Sequence, residues 1–304
     1  MRRPGAIIAV GIFFTSLSSI IIRLSSAPPL AIASYRMVFA TALLLPLVLI
    51  EQGRNAEAER HAPITSTSRK HAVRVVLLSV LSGVFLSLHF ATWITSLSYT
   101  SVASSTVLVS THPIIVAIAG ALILGERIKL RSGIFILLAL AGSAVLVWEG
   151  IGDGESTALG NLLAVAGAIS VSGYMIIGRV VRQYLSVNRY TIIVYSAAAA
   201  LLIIYAVLFG VPLYPYPARD LLLFLALAVF CTLLGHSLYS WALKYVRPTV
   251  ISTTVLGEPV IATVLAAVVF AEMPSVVTAI GGVIILLAIL LFTRSEAEPV
   301  SLRA

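Results

Sequence analysis

The stretch LSYTSVASSTVLVSTHPIIVAIAGALILGE, residues 97–126, returns 146 positions later as LKYVRPTVISTTVLGEPVIATVLAAVVFAE, residues 243–272. Leu97-Ser98-Tyr99 falls on Leu243-Lys244-Tyr245, His112-Pro113 on Glu258-Pro259, and Gly125-Glu126 on Ala271-Glu272. The helices that open each half pair at an offset near 156, which reflects a longer second loop in the first copy. Each copy holds five apolar runs. Five is odd, so the second copy enters the membrane from the side opposite the first. Inverted repeats of this kind build carriers, because rocking two related halves opens a central site to each side in turn.

Composition agrees. Of 304 residues, 60% are hydrophobic and 11% charged, against about 45–50% and 25% in soluble domains, and the mean hydropathy is +1.07. A spanning helix needs about 20 apolar residues, so ten spans take roughly 200 positions. The expected fold is an all-α integral membrane protein with ten transmembrane helices in two inverted five-helix repeats. The helices read as 5–26, 30–50, 73–97, 102–124, 131–149, 158–181, 187–209, 219–243, 249–270 and 275–293. The repeats occupy 1–150 and 157–295, followed by a cytoplasmic tail at 296–304. Arg2 and Arg3 before an apolar run, with Ser25-Ser26-Ala27 behind it, imitate a signal peptide. The run is too long and Pro28 hinders cleavage, so a retained helix is expected.

Several function classes fall away. No connection is long enough to hold a soluble catalytic domain. The net charge of +8 sits in loops rather than on a folded basic face, which excludes a nucleic-acid partner. A single cysteine, Cys231, excludes an intrachain disulfide and a thiolate cluster. Gly152-Asp153-Gly154 lacks the spacing of a phosphate loop, and no Walker, zinc-protease or serine-elbow motif occurs. Three intramembrane histidines, His89, His112 and His236, come from three helices with no i,i+4 pair, so neither a metal nor a cofactor is expected.

Lys and Arg fix the orientation. Seventeen of the 20 lie in the even-numbered connections and the two tails, among them Arg54, Lys70, Arg127, Lys129, Arg179, Arg182, Lys244 and Arg247. The opposite side has Arg219 in a loop and Arg23 and Arg36 in or near the membrane, while the fifth connection carries Glu149, Asp153 and Glu155. Both termini therefore face the cytoplasm.

Tyr35-Arg36 followed by Phe39-Ala40, Gly125-Glu126-Arg127 with Gly133 and Gly142, and Glu258-Pro259 followed by Glu272, Gly281 and Gly282 carry a family likeness. The chain resembles the drug/metabolite transporter superfamily, specifically exporters built from two EamA domains, including those for aromatic amino acids. It departs from their pattern where Ala271 replaces a glycine and where His112 stands opposite Glu258. The resemblance implies export across a bacterial inner membrane, with amino acids as substrates, aromatic and other neutral amphiphilic ones included.

Candidate substrate-binding residues are His89, Trp93, Tyr99, His112, Tyr239 and Glu258. Pro113 and Pro259 each free the carbonyl four residues back, at Val109 and Val255. In hydrocarbon such carbonyls need another partner, so this backbone should face protein or a wet cavity. Glu258 is the only carboxylate placed deep in a span; it suits a substrate-ammonium contact or a proton-carrying site, with a neutral interhelical hydrogen bond as the bland reading. His89, Trp93, Ser96 and Thr100 share one helix face, and the offset puts Gly235 and Tyr239 on the equivalent face. Arg36 reads as a snorkelling anchor or a carboxylate clamp. The stripe Gly160, Ala164, Ala168 and Ser172 reads as close helix packing.

The expected partners are a small-molecule substrate and the lipid bilayer. Multidrug or quaternary-cation efflux with Glu258 as counter-ion is the alternative. An intramembrane enzyme or a passive channel fits less well, since chemistry rarely needs two-sided access. Cysteines placed at Ser156 and Ser66 in a Cys231→Ser background should label from opposite sides. A membrane-impermeant maleimide should reach the first in intact cells and not the second; the reverse pattern, or labelling of both, overturns the inverted repeat.

Overall fold

The fold is taken from a computed structural model, which describes residues 4–59, 69–125, 130–131, 133–135, 137–139, 141–142, 145, 155–255 and 257–296. Every regular element among these is helical. The first span is α1 (Pro4–Ser16) and α2 (Ser18–Leu24), followed by α3 (Pro29–Glu59) and α4 (Arg69–Ser96). The fourth span divides into α5 (Val102–Val109) and α6 (His112–Leu124). After it come α7 (Glu155–Val181) and α8 (Val187–Leu208). The next span joins α9 (Ala218–Ala226), a π-helical stretch (Leu227–His236) and α10 (Ser237–Ala242); the last two are α11 (Pro248–Thr254) with α12 (Gly257–Phe270), and α13 (Val276–Glu296).

Eight helices among the described residues are long and apolar enough to cross a membrane. A further apolar stretch, Ala279–Phe292, is shorter. Of the expected span at 131–149 only scattered residues are described. Ala139, within it, is fully buried in a cluster with Ile285, Ala288 and Phe292. α3 continues to Glu59 rather than ending near 50, because Glu, Gln, Arg and Ala propagate a helix past the apolar region.

Hydroxyl side chains make these helices self-sufficient. Ser16, Ser34 and Ser79 donate to the carbonyls of Ile12, Leu30 and Val75, four residues back, which satisfies the hydroxyls without water. Ser101 and Ser186 cap α5 and α8 by accepting the backbone N–H of Ser104 and Arg189. The two halves interleave, since α4 packs on α7 and on α8, and α3 on α8. In the small-residue stripe Ala164 and Ala168 are fully buried, and a Cβ on Gly160 would come within 2.9 Å of the Thr100 backbone nitrogen.

Each end of this bundle is tied by an arginine. Arg23 Nη2 donates to the Thr100 carbonyl at 2.8 Å and lies 3.6 Å from Glu272. Glu272 also accepts the Val102 N–H at 2.6 Å. At the opposite end Arg179 Nη1 donates to the Leu243 carbonyl at 2.8 Å, and Arg182 Nε to that of Ser240 at 2.9 Å. Arg23 and Arg179 are 156 positions apart, and each holds the carbonyl end of the corresponding helix in its half.

The repeat also appears in backbone conformation. α6 ends on Gly125 at φ 69°, and α12 is followed by Ala271 at φ 54°. Both are left-handed, so the alanine occupies a glycine position. That region costs an L-residue about 1–2 kcal/mol, and the unfolded-state entropy of glycine returns about 0.4–1 kcal/mol of any gain. Ala271→Gly should therefore raise stability by about 0.5–1 kcal/mol, and Gly125→Ala lower it similarly, read as shifts in thermal unfolding of the detergent-solubilised protein.

Candidate functional site

The interrupted helices meet around one cavity. α5 stops at Val109 and α6 restarts at His112 with Pro113 in its first turn. The carbonyl that Pro113 leaves unpaired is taken by the His112 ring, whose Nδ1 donates to Val109 O at 3.0 Å. A carbonyl only accepts, so the proton sits on Nδ1. In the second half α11 stops at Thr254 and α12 restarts at Gly257. There the Glu258 backbone N–H donates to Val255 O at 2.8 Å. His112 is thus held in its own helix break, while the Glu258 side chain is left to the cavity.

That cavity holds about 680 Å³ of space unfilled by atoms, its mouth included. His89, Trp93, His112, Tyr239 and Glu258 line it together. Tyr99 does not: it sits in the turn after α4 with 42% of its surface exposed. Ser96 and Thr100, on the His89 face, turn away to hydrogen-bond Ser105 at 2.6 Å and Asn161 at 2.8 Å.

His89 donates from Nδ1 to Gly167 O at 2.9 Å and stacks on Trp93, with centroids 5.7 Å apart and planes 7° off parallel. The Trp93 Nε1 donor, buried in the wall, has no partner among the described residues. Opposing them are Tyr239 and its neighbour His236, whose ring lies 6.2 Å from His89 and 5.3 Å from Phe90.

Sequence reading missed His236. The 146-residue offset carries His89 onto Gly235, so the repeat pointed to the neighbouring position. The π-helical stretch adds about one residue per turn and re-aims the side chains at its end. Gly235 is instead pressed against the first span, where a Cβ would meet Thr15 Cγ2 at 2.5 Å.

Thr15 and Ser18 of the first span also line the cavity. The Thr15 hydroxyl is 2.8 Å from the Tyr239 hydroxyl and 3.1 Å from the carbonyls of Gly11 and Ile12, and Glu258 lines the same cavity. With one proton it serves one acceptor at a time. Short hydroxyl residues are common in membrane helices, so nothing local in the sequence singles these two out.

Arg36 is fully buried rather than snorkelling, because the π-helical stretch and α4 close over it. Its Nε donates to Thr232 Oγ1 at 2.8 Å and Nη1 to Ser18 Oγ at 3.1 Å. Its Cζ stands 4.2 Å from the Phe90 ring centroid. The Nη2 atom has no partner, and the ion pair among the described residues is Arg23–Glu272 rather than one to Arg36. Among the described residues no group of three or more His, Cys, Asp or Glu side chains is placed to hold a metal ion.

Residues 4–148 and 158–294 each match the profile of the EamA-like transporter family. The chain belongs to that family. It is 25% identical over 286 residues to an uncharacterized transporter of Archaeoglobus fulgidus, covering 91% of this chain and 92% of that one. An uncharacterized transporter of Clostridium kluyveri is 27% identical over 198 residues, 63% of either chain. A crystal structure superposes with a TM-score of 0.66 over 97% of this chain and 99% of its own, at 18% identity, and shows the fold alone. This EamA transporter is a multi-pass membrane protein with two EamA domains and a small-molecule substrate.

The hydroxyl pair in the EamA cavity is testable. Thr15→Val and Tyr239→Phe should each destabilise by about 1 kcal/mol, because each leaves or removes one buried partner. The double variant should cost little more than either single one in a thermal-unfolding cycle. Additive losses would show that the two hydroxyls do not act as a unit.

Proposed function

We propose that the chain is a secondary carrier that exports amino acids, aromatic and other neutral amphiphilic ones, from the cytoplasm by alternating access. In this reading ten helices form two inverted repeats at 1–150 and 157–295, both termini face the cytoplasm, and the membrane is the bacterial inner one. The observation that carries it is the cavity between the halves. Both copies bring a broken helix to it, His112 on one side and Glu258 on the other. Interrupted helices at matching places in two repeats are where transporters bind solute.

The substrate class rests on the walls and on the likeness to the bacterial aromatic amino-acid exporter YddG. Trp93, His89, His236, Tyr174 and Tyr239 offer flat rings, and ring stacking adds about 0.5–1.5 kcal/mol per pair beyond area burial. His89, Trp93, His112, Tyr239 and Glu258 are the substrate-contacting residues of this proposal; Tyr99 belongs to the turn that Arg23 and Glu272 clamp. Glu258 also suits efflux of organic cations, which is the second reading.

Counterflow in proteoliposomes with labelled amino acids tests the function, and saturation separates a carrier from a channel. Trp93→Ala and Tyr239→Ala, at equal protein levels, should weaken movement of phenylalanine and tryptophan by roughly tenfold for one lost stacking contact of about 1.4 kcal/mol. Alanine or serine should be much less affected. Equal loss for every solute would make these rings packing residues, and full activity in both variants would move the site elsewhere.

A further inference from the structure

Arg36 is a fixed cation set one hydroxyl behind the cavity wall, and its surroundings do not neutralise it. Its neighbours are two neutral hydroxyls and the face of Phe90. One of those hydroxyls, Ser18, lines the cavity itself. Arginine stays protonated in proteins, and a buried guanidinium without a carboxylate beside it is costly. Glu258 lines the same cavity as Ser18, and among the described residues it makes no ion pair with Arg36. With Glu258 ionised, a negative charge on the wall and a positive one behind it are held apart rather than closed into a pair.

We propose that Arg36 makes the cavity select solutes of zero net charge that carry both a cationic and an anionic group. The inference rests on the cavity being the solute site. In a medium of low dielectric an unbalanced charge is felt over many ångströms, so Arg36 acts without touching the solute. A zwitterion leaves the site neutral, its ammonium towards Glu258 and its carboxylate towards Arg36. A bare organic cation adds to Arg36 and leaves an excess positive charge; a bare carboxylate leaves an excess negative one beside Glu258. A second observation points the same way. The Trp93 Nε1–H, buried in the same wall at 4% exposure, lacks an acceptor. It is a buried donor on the cavity wall that a solute carboxylate can satisfy.

The test uses the full chain in proteoliposomes at neutral pH with two matched sets of solutes. One is tryptophan, tryptamine and indole-3-propionate; the other is leucine, 3-methylbutylamine and 4-methylpentanoate. The intact protein should favour the amino acid at least about tenfold over the amine and the acid in each set it moves. Arg36→Gln should raise the amine-to-amino-acid ratio at least about tenfold, Arg36→Lys should keep the wild-type ratio, and Glu258→Gln should shift preference towards the carboxylates. A wild-type preference for the amines overturns the proposal with no variant needed, so failure of Arg36→Gln to fold does not shelter it. Equal loss of all solutes in Arg36→Gln, or a ratio that Lys does not restore, also overturns it and leaves the amino-acid reading standing. Movement of the leucine set alone defeats the aromatic reading, while the charge ratios within that set still decide for or against Arg36. Movement of none of the six overturns both.

Discussion

Hydrocarbon offers no hydrogen-bond partner to a peptide group, so a helix that breaks inside a membrane must close the break from within the protein. This constraint organises the molecule. Two helices break at prolines 146 positions apart, and each freed carbonyl is met at once: Val109 by the His112 ring, Val255 by the backbone of Glu258. The difference in how the breaks are closed is chemical. One consumes a side chain; the other uses the main chain and leaves a carboxyl at the cavity. Thr15, Tyr239, Ser18 and Arg36 are then placed by the helices that wrap those breaks.

The architecture was legible because it is written in letters that repeat. Pro113 with Pro259 and Gly125 with Ala271 mark the same turns in both copies, and the structure gives the second pair the same left-handed backbone. The cavity wall was legible where ordinary helical periodicity holds, as along His89 and Trp93 on α4. It was not legible at His236, because the repeat offset points from His89 to the neighbouring Gly235, and the π-helical winding there has no match in α4. Arg36 shows another limit. Its place near a helix end suits a snorkelling side chain, and only the tertiary arrangement of Thr232, Ser18 and Phe90 reveals a cation held inside. Tyr99 matches Tyr245 in the repeat, yet both are exposed tyrosines beyond their helices, since matching letters report a shared position and not its depth.

The cavity sits at a seam between two packing regimes. α4, α7 and α8 are knit by buried small residues and tyrosine hydroxyls, such as Tyr190 with Ser82 at 2.7 Å and Tyr205 with Ser87 at 3.4 Å. The outer helices show many large apolar side chains, among them Leu122, Val264 and Val268, as lipid-facing surfaces do. The Arg179 clamp at one end of the bundle lies on α7, in the tightly knit region.

The π-helical stretch has no counterpart in the first half, where α4 runs as a regular α-helix from Arg69 to Ser96. Two perfectly equal copies would make the two access states mirror images with equal free energies, and the empty carrier would divide its time evenly between them. Here the copies differ in helix winding, in the residue beside each proline and in the strain at Ala271. A difference of about 1.4 kcal/mol between the two states tilts their populations tenfold. On the alternating-access reading proposed above, the unloaded protein has a resting side, chosen by these few departures from symmetry and not by the solute.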